Sequence, residues 1–258
     1  MKLRAAAVSF LNARPLTAGL AGSPLIDLVL AEPSLCASML EAGDVDLALL
    51  PVGALPGRDW EIVPGIGIGA DGPVQTVVLA GEEPPESWDE VFLDTASRTS
   101  QILAQLVMRE RGLAPRYSHM PALEGLARAV GTKGALVIGD RAFDVGKKVV
   151  LDLGREWNRV TRLPMVFAVW AGPGAGDPEV VEALTRCYAH NAGRIDALAA
   201  RAAGGDPVRR ALLASYLSTN IVYRLGEAEE SGLRRFREQA AEAGLLPARS
   251  EEIHVGGD

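Results

Sequence analysis

The sequence predicts an α/β protein of two lobes with a helical C-terminal tail. Three observations predict it. Strand-like apolar runs alternate with helix-like segments through the first two thirds of the 258 residues. Beyond Gly176 the pattern changes to helices only. Two polar or glycine-rich breaks, Glu82-Glu-Pro-Pro-Glu86 and Ala171-Gly-Pro-Gly-Ala-Gly176, interrupt the alternation where a chain would pass between units. The elements follow in order. Residues 3–8 form the first strand, and Pro15, tolerated in a first helical turn, opens a helix over 15–20. A strand at 28–31, a helix at 33–42 and a strand at 47–50 come next. Gly65, Gly67 and Gly69 alternate with Ile66 and Ile68, which is GxGxG and not the GxGxxG of a dinucleotide site, and no amphipathic helix follows. The reading is a glycine-rich strand or loop that another backbone approaches closely. Gly72-Pro73 leads into a strand at 74–79. A strand at 91–94 runs into a helix at 97–111, whose Ile102, Leu103, Leu106 and Val107 keep helical spacing until Gly112. A helix at 122–130 and strands at 135–138 and 165–170 complete the alternating part. The tail reads as helices at 178–203, 207–223 and 227–243, the first two opened by Asp177-Pro178 and Asp206-Pro207.

The breaks place residues 83–165 in one lobe and residues 1–82 with 166–258 in the other, joined by crossings near 74–81 and 165–172. A ligand would then lie between the lobes, at the carboxyl ends of strands.

Composition narrows the function. With 48% hydrophobic and 23% charged residues and a mean hydropathy of +0.13, the chain is globular, with ample core, and is neither disordered, fibrous nor membrane-spanning. A net charge of −7, a pI near 5.1 and no dense basic run argue against nucleic acid or an anionic membrane as partner. An anionic ligand must be held by local groups. Cys36 and Cys187 lie far apart, and His119, His190 and His254 are scattered, so no metal or haem signature emerges. The cysteines read as small buried apolar residues in a reducing compartment, and Trp157 and Trp170 as core. Lys2 and Arg4 precede an apolar run, but Asn12, Arg14 and Pro15 cut it too short for a signal peptide, so a cytoplasmic location is expected. Oligomeric state is not legible.

Three constellations carry chemistry. In Val91-Phe-Leu-Asp-Thr-Ala-Ser-Arg-Thr-Ser100 a strand meets hydroxyls and one arginine where a helix opens. The helix start favours a carboxylate or phosphate, with Thr95, Ser97, Arg98, Thr99 and Ser100 to hold it; alternatively Ser97 or Thr99 is only an N-cap and Arg98 only solvated. Ser9 and Asn12 fall where the first strand ends. They suit the orientation of a polar ring substituent, or else form a turn with Asn12 as a cap. Gly139-Asp140 ends the strand at 135–138, and Asp140 either accepts from a ligand hydroxyl, holds Arg98 or Arg141, or caps a helix. No histidine stands beside a strand-end serine in a triad pattern.

Ser9-Phe-Leu-Asn-Ala-Arg-Pro-Leu16, Asp71-Gly-Pro-Val74, Leu93-Asp-Thr-Ala-Ser-Arg-Thr-Ser100, Ile138-Gly-Asp140, Leu153-Gly-Arg-Glu-Trp157 and Phe167-Ala-Val-Trp170, in this order, resemble the chorismate dehydratase family of the futalosine route to menaquinone. The resemblance implies a type 2 periplasmic-binding-protein-like fold in a cytoplasmic enzyme. It also implies elimination of water from chorismate to give 3-[(1-carboxyvinyl)oxy]benzoate, without metal or organic cofactor. On this reading Ser97, Arg98, Thr99 and Ser100 hold a substrate carboxylate and Asn12, with Ser9, addresses the ring. Phe10 stands where many members carry tyrosine, which excludes a phenolic acid there. The naphthoate-forming enzyme of the same route resembles this chain less, because its Pro-Cys-Pro-Asn opening is absent. A binding protein or sensor for a small carboxylate, without turnover, is the other class open to the sequence.

Overall fold

The computed structural model describes residues 2–55, 57, 60–147 and 149–247. In chain order its strands are β1 (Leu3–Val8), β2 (Ile26–Ala31), β3 (Leu47–Pro51), β4 (Ile62–Ala70), β5 (Val77–Gly81), β6 (Glu90–Asp94), β7 (Arg116–Met120), β8 (Lys133–Ile138), β9 (Val149–Asp152), β10 (Met165–Ala171) and β11 (Val222–Arg224). Its α-helices are α1 (Arg14–Thr17), α2 (Pro33–Glu41), α3 (Arg98–Glu110), α4 (Ala122–Arg128), α5 (Leu153–Thr161), α6 (Pro178–Ala192), α7 (Ile195–Ala202), α8 (Pro207–Ser215) and α9 (Glu227–Glu242).

The strands form two sheets, ordered β11-β4-β10-β3-β1-β2 and β7-β6-β8-β5-β9. In the first, β1 runs parallel to β2 and β3, and β10 returns antiparallel between β3 and β4. Ala5, Ala6 and Ala7 of β1 and Leu47 to Leu50 of β3 are fully buried, as strands covered on both faces should be. The glycine-rich run is β4, and its close neighbour is real: a side chain on Gly67 would collide with the Ala168 carbonyl, 2.7 Å from the Cβ position. Trp157 and Trp170 are core residues, and so is Cys36.

The chain leaves the first sheet earlier than residue 82. All five residues of β5 pair antiparallel with β8, so the expected 74–81 crossing lies instead at 71–76. That segment is fixed by the Asp152 carboxylate, which accepts from the amides of Val74 (3.1 Å) and Gln75 (2.6 Å) and caps α5 through Arg155 N–H (2.9 Å). Gln75 sits at φ 62°, a left-handed conformation held by these bonds. Glu82-Glu-Pro-Pro-Glu86 joins β5 to β6 within one sheet, passing β8, which lies between them, so its prolines fall inside the second sheet's half of the chain. The return falls at 162–164, since β10 is wholly in the first sheet.

The tail departs from its all-helical reading. The expected 178–203 helix is divided at Gly193 and Arg194 into α6 and α7. The 207–223 helix ends at Ser215, widens into a π-type turn over Tyr216–Asn220, and gives way to β11, which pairs with β4 and buries Tyr223. No helix among the described residues is long and apolar enough to cross a membrane.

Candidate active site between the two sheets

The carboxyl ends of β1, β3 and β8, the amino end of α3 and the 71–76 crossing converge on a narrow cleft. Its walls are largely apolar, with Phe10, Ile68, Ile138 and Phe167 among them, and its polar side chains are Asn12, Thr76, Ser97 and Ser100. A mostly apolar chamber with a few converging polar groups is the ordinary form of a small-molecule site.

Val8 and Phe10 line the cleft at the end of β1, and Asn12 joins them from the Leu11–Ala13 turn that follows. The buried Oδ1 of Asn12 has no hydrogen-bond partner in the protein. Ser9 is exposed and takes no place in the lining, so the expected Ser9–Asn12 pair does not form; its amide bonds the Ala31 carbonyl instead.

At α3 the hydroxyl cluster separates into three directions. Ser97 is the N-cap, accepting from Ser100 N–H at 3.4 Å and lying 3.2 Å from the Ser100 hydroxyl, and both serines also line the cleft. Capping the helix and standing in the cleft wall are therefore compatible at Ser97. Thr99 turns away from the cleft: its hydroxyl accepts from Gly53 N–H (2.9 Å) and donates to the Phe167 carbonyl (3.2 Å), pinning α3 to the first sheet. With both roles of its hydroxyl taken and no exposed surface, Thr99 is a strut and not a carboxylate ligand. Thr95 and Arg98 are exposed and line a wider outer groove with Gln101 and His119, which shares Pro33 and Pro51 with the inner cleft. Arg98 thus stands at the rim, apart from the inner serines and from Asp140.

Gly139 lines the cleft at φ 69°, and the Phe10 ring lies 2.9 Å from where its Cβ would be, so both conformation and space demand glycine. Asp140 neither lines the cleft nor holds Arg98. Both its oxygens accept from Leu11 N–H, at 3.1 and 3.3 Å. Burial raises the Asp140 carboxyl above the usual range, against the opposing pull of the Leu11 amide and of Arg14, Arg209 and Arg141.

Two residues that no local pattern marked complete the site. Thr76, fully buried in the crossing, is bonded at 2.8 Å to the Tyr216 hydroxyl, and Tyr216 is itself fully buried beneath the cleft. Burial pushes the Tyr216 hydroxyl well above the ordinary phenol range, with Thr76 and Asn12 drawing it down. Both cysteine thiols are pushed up to about 11 by burial, so neither is a nucleophile at neutral pH. Among the described residues no three His, Cys, Asp or Glu side chains converge as a metal site.

The pattern of a protein family described as menaquinone biosynthesis matches residues 3–242. A chorismate dehydratase from Thermus thermophilus is 31% identical over 198 residues, covering 69% of this chain and 72% of that protein. Among solved structures, a protein from Archaeoglobus fulgidus superposes with a TM-score of 0.69 at 17% identity, covering 95% of this chain and 98% of that one. A Candida albicans protein, described as having the generic periplasmic binding protein fold, has a TM-score of 0.66 at 11% identity, with 97% and 92% covered. An ABC transporter protein from Parabacteroides distasonis has a TM-score of 0.61 at 13% identity, with 96% and 99% covered. The fold is that of the periplasmic binding proteins.

Proposed function

The chain belongs to the menaquinone-biosynthesis family, and from that membership and the chemistry of the cleft we propose that it is a chorismate dehydratase, a carbon–oxygen lyase that converts chorismate to 3-[(1-carboxyvinyl)oxy]benzoate. The observation that carries the reading is the unpartnered Oδ1 of Asn12, buried among Phe10, Thr76, Ser97 and Ser100 in a chamber that otherwise offers apolar walls. A buried acceptor to which no protein group donates is unfavourable, and a substrate hydroxyl would satisfy it.

Chorismate carries two carboxylates and one ring hydroxyl on a diene. The amino end of α3 with Ser97 and Ser100 accommodates a carboxylate, and the apolar walls receive the ring. In the elimination the C–H bond at ring carbon 3 breaks, eased by conjugation to the ring carboxylate. The C–O bond at carbon 4 then breaks, the departing hydroxide takes up the proton removed from carbon 3, and water leaves an aromatic ring. Asn12 accepts a hydrogen bond from the departing hydroxyl or steadies the reacting carbon. A neutral amide is a poor base, so the proton goes to the second carboxylate of the substrate. Orientation and stabilisation of enolate-like charge are then the protein's contribution. Arg98 at the rim attracts the dianion. The reading carries with it a cytoplasmic location and independence from metal and organic cofactors.

The test is incubation of metal-free protein with chorismate, followed by ultraviolet spectrum and product mass. Loss of one water without added cofactor is expected. Intact chorismate with a clear binding isotherm would identify a carboxylate-binding protein instead, and neither turnover nor binding would remove chorismate as the substrate.

A further inference from the structure

The turn that carries Asn12 begins without a cap of its own. Phe10 stands at the N-cap position of Leu11–Ala13, and no side chain of that segment bonds its first amides. The missing acceptor comes from 129 residues away: the Asp140 carboxylate, at the end of β8 in the second sheet, receives Leu11 N–H. Asn12 is the next residue. We propose that Asp140 is a positioning residue for Asn12, fixing the Leu11–Ala13 turn across the cleft so that the carboxamide is aimed into the chamber only while the two halves of the protein are together.

The surroundings are built for such a role. Gly139 allows the backbone to lie flush against the Phe10 ring, which brings Asp140 within reach of the turn. The rest of the Gly139–Asp144 turn is tied to the first-sheet half at two further points. Phe143 packs edge-on against Tyr216 with ring centres 5.1 Å apart, and Asp144 pairs with Arg209 at 3.0 Å. Tyr216 in turn holds Thr76 in the cleft wall. Docking of this one turn therefore sets Asn12 through Asp140 and supports Thr76 through Phe143.

The inference rests on the dehydratase reading for its kinetic test and carries a second readout that does not. Asp140→Asn keeps an acceptor for Leu11 N–H; Asp140→Ala removes it. With chorismate as substrate, Asp140→Ala should lower kcat about 10–100-fold with KM little changed, and Asp140→Asn should restore most of the loss. Adding Asp140→Ala to Asn12→Ala should cost little more, because both act through one group. Hydrogen exchange at Leu11 in the ligand-free protein should quicken about tenfold in Asp140→Ala, while α9 stays unchanged. A raised KM with unchanged kcat would make Asp140 a substrate contact. Multiplicative losses in the double variant, or unchanged exchange at Leu11, would also overturn the proposal. If the wild-type protein leaves chorismate intact, the dehydratase reading fails and the exchange at Leu11 decides the positioning role alone.

Discussion

A buried amide oxygen with no donor, as at Asn12, costs a protein about 1–3 kcal/mol, and truncating it removes that penalty together with the function. Asn12→Ala should therefore hold stability within about 1 kcal/mol of wild type while turnover of chorismate falls at least about 100-fold. Paired denaturant midpoints and single-turnover rates check this, and a fall in stability with activity retained would assign Asn12 to the scaffold. The opposite signature belongs to Tyr216→Phe. It keeps the ring against Phe143 but leaves the buried Thr76 hydroxyl only a long 3.4 Å bond to the Val74 carbonyl, so a loss of about 1–2 kcal/mol is expected in urea unfolding. These residues also show how far the site was legible. Asn12, Ser97, Ser100 and Gly139 stand at strand ends and a helix start, where local pattern alone brings backbone and polar groups to a cleft. Ser9, Thr99 and Asp140 stand in the same patterns, yet each side chain points where tertiary packing sends it. Thr76 and Tyr216 lie in segments that read as strand and helix, and their pairing spans 140 positions, beyond any local signal.

At the scale of the element, the amino end of α3 does two jobs because successive helical residues turn by about 100°. Ser97 and Ser100 face the cleft, while Thr99 faces back to Gly53 and Phe167. Thr99→Val keeps the shape and strands a buried amide and a buried carbonyl, so it should cost about 2–4 kcal/mol and shift the helix start as well. Ser100→Ala should leave stability nearly intact and weaken binding of the substrate carboxylate. Chemical denaturation with titration of chorismate separates the two, and equal destabilisation by both would deny α3 this division. The alternating apolar runs made β1, β3, β6, β8 and β10 legible, along with α2, α3, α4 and α9, because each buries a continuous face. Two of the missed elements lack that mark. β7 is the polar edge Arg116-Tyr-Ser-His-Met120, paired on one side by β6, and β11 is three residues whose strand form comes from pairing with β4. The Glu82–Glu86 break and the crossing at 71–76 both carry proline; what distinguishes them is Asp152, distant in sequence, clamping only the second.

Across the whole molecule, carboxylates of two kinds set opposing dependences on pH. Asp94 is buried with Oδ2 unpartnered, and burial raises both Asp94 and Asp140 above the ordinary value of 3.8. Folding therefore takes up protons at these two positions, so their contribution to stability improves as pH falls from neutrality toward about 4. The second kind runs the other way. Ser118, 2.7 Å away, holds Glu90 below its ordinary value of 4.5, assisted by Lys133 and Arg116, and Arg4, Arg209 and Arg210 do the same for Asp46, Asp144 and Asp196. These contributions are complete above the ordinary values and are lost as pH falls through the lowered ones. The pairs at Asp46, Asp144 and Asp196 are exposed and weak, which leaves Glu90, at 9% exposure, as the main member. Stability should then be greatest on the acid side of neutrality, above about pH 4.5, and fall more steeply below that point than above it. Asp94→Asn keeps the acceptor for Ala96 N–H and removes the buried charge, so its melting temperature should exceed wild type at pH 7 and converge with it near pH 4. Glu90→Gln should be less stable than wild type at pH 7, with the gap closing as pH drops below 4.5. Thermal unfolding across pH 3–8 reads both differences. A constant offset for either variant would mean that its carboxylate titrates alike in the folded and unfolded chain, and that the two sheets owe their pH response to other groups.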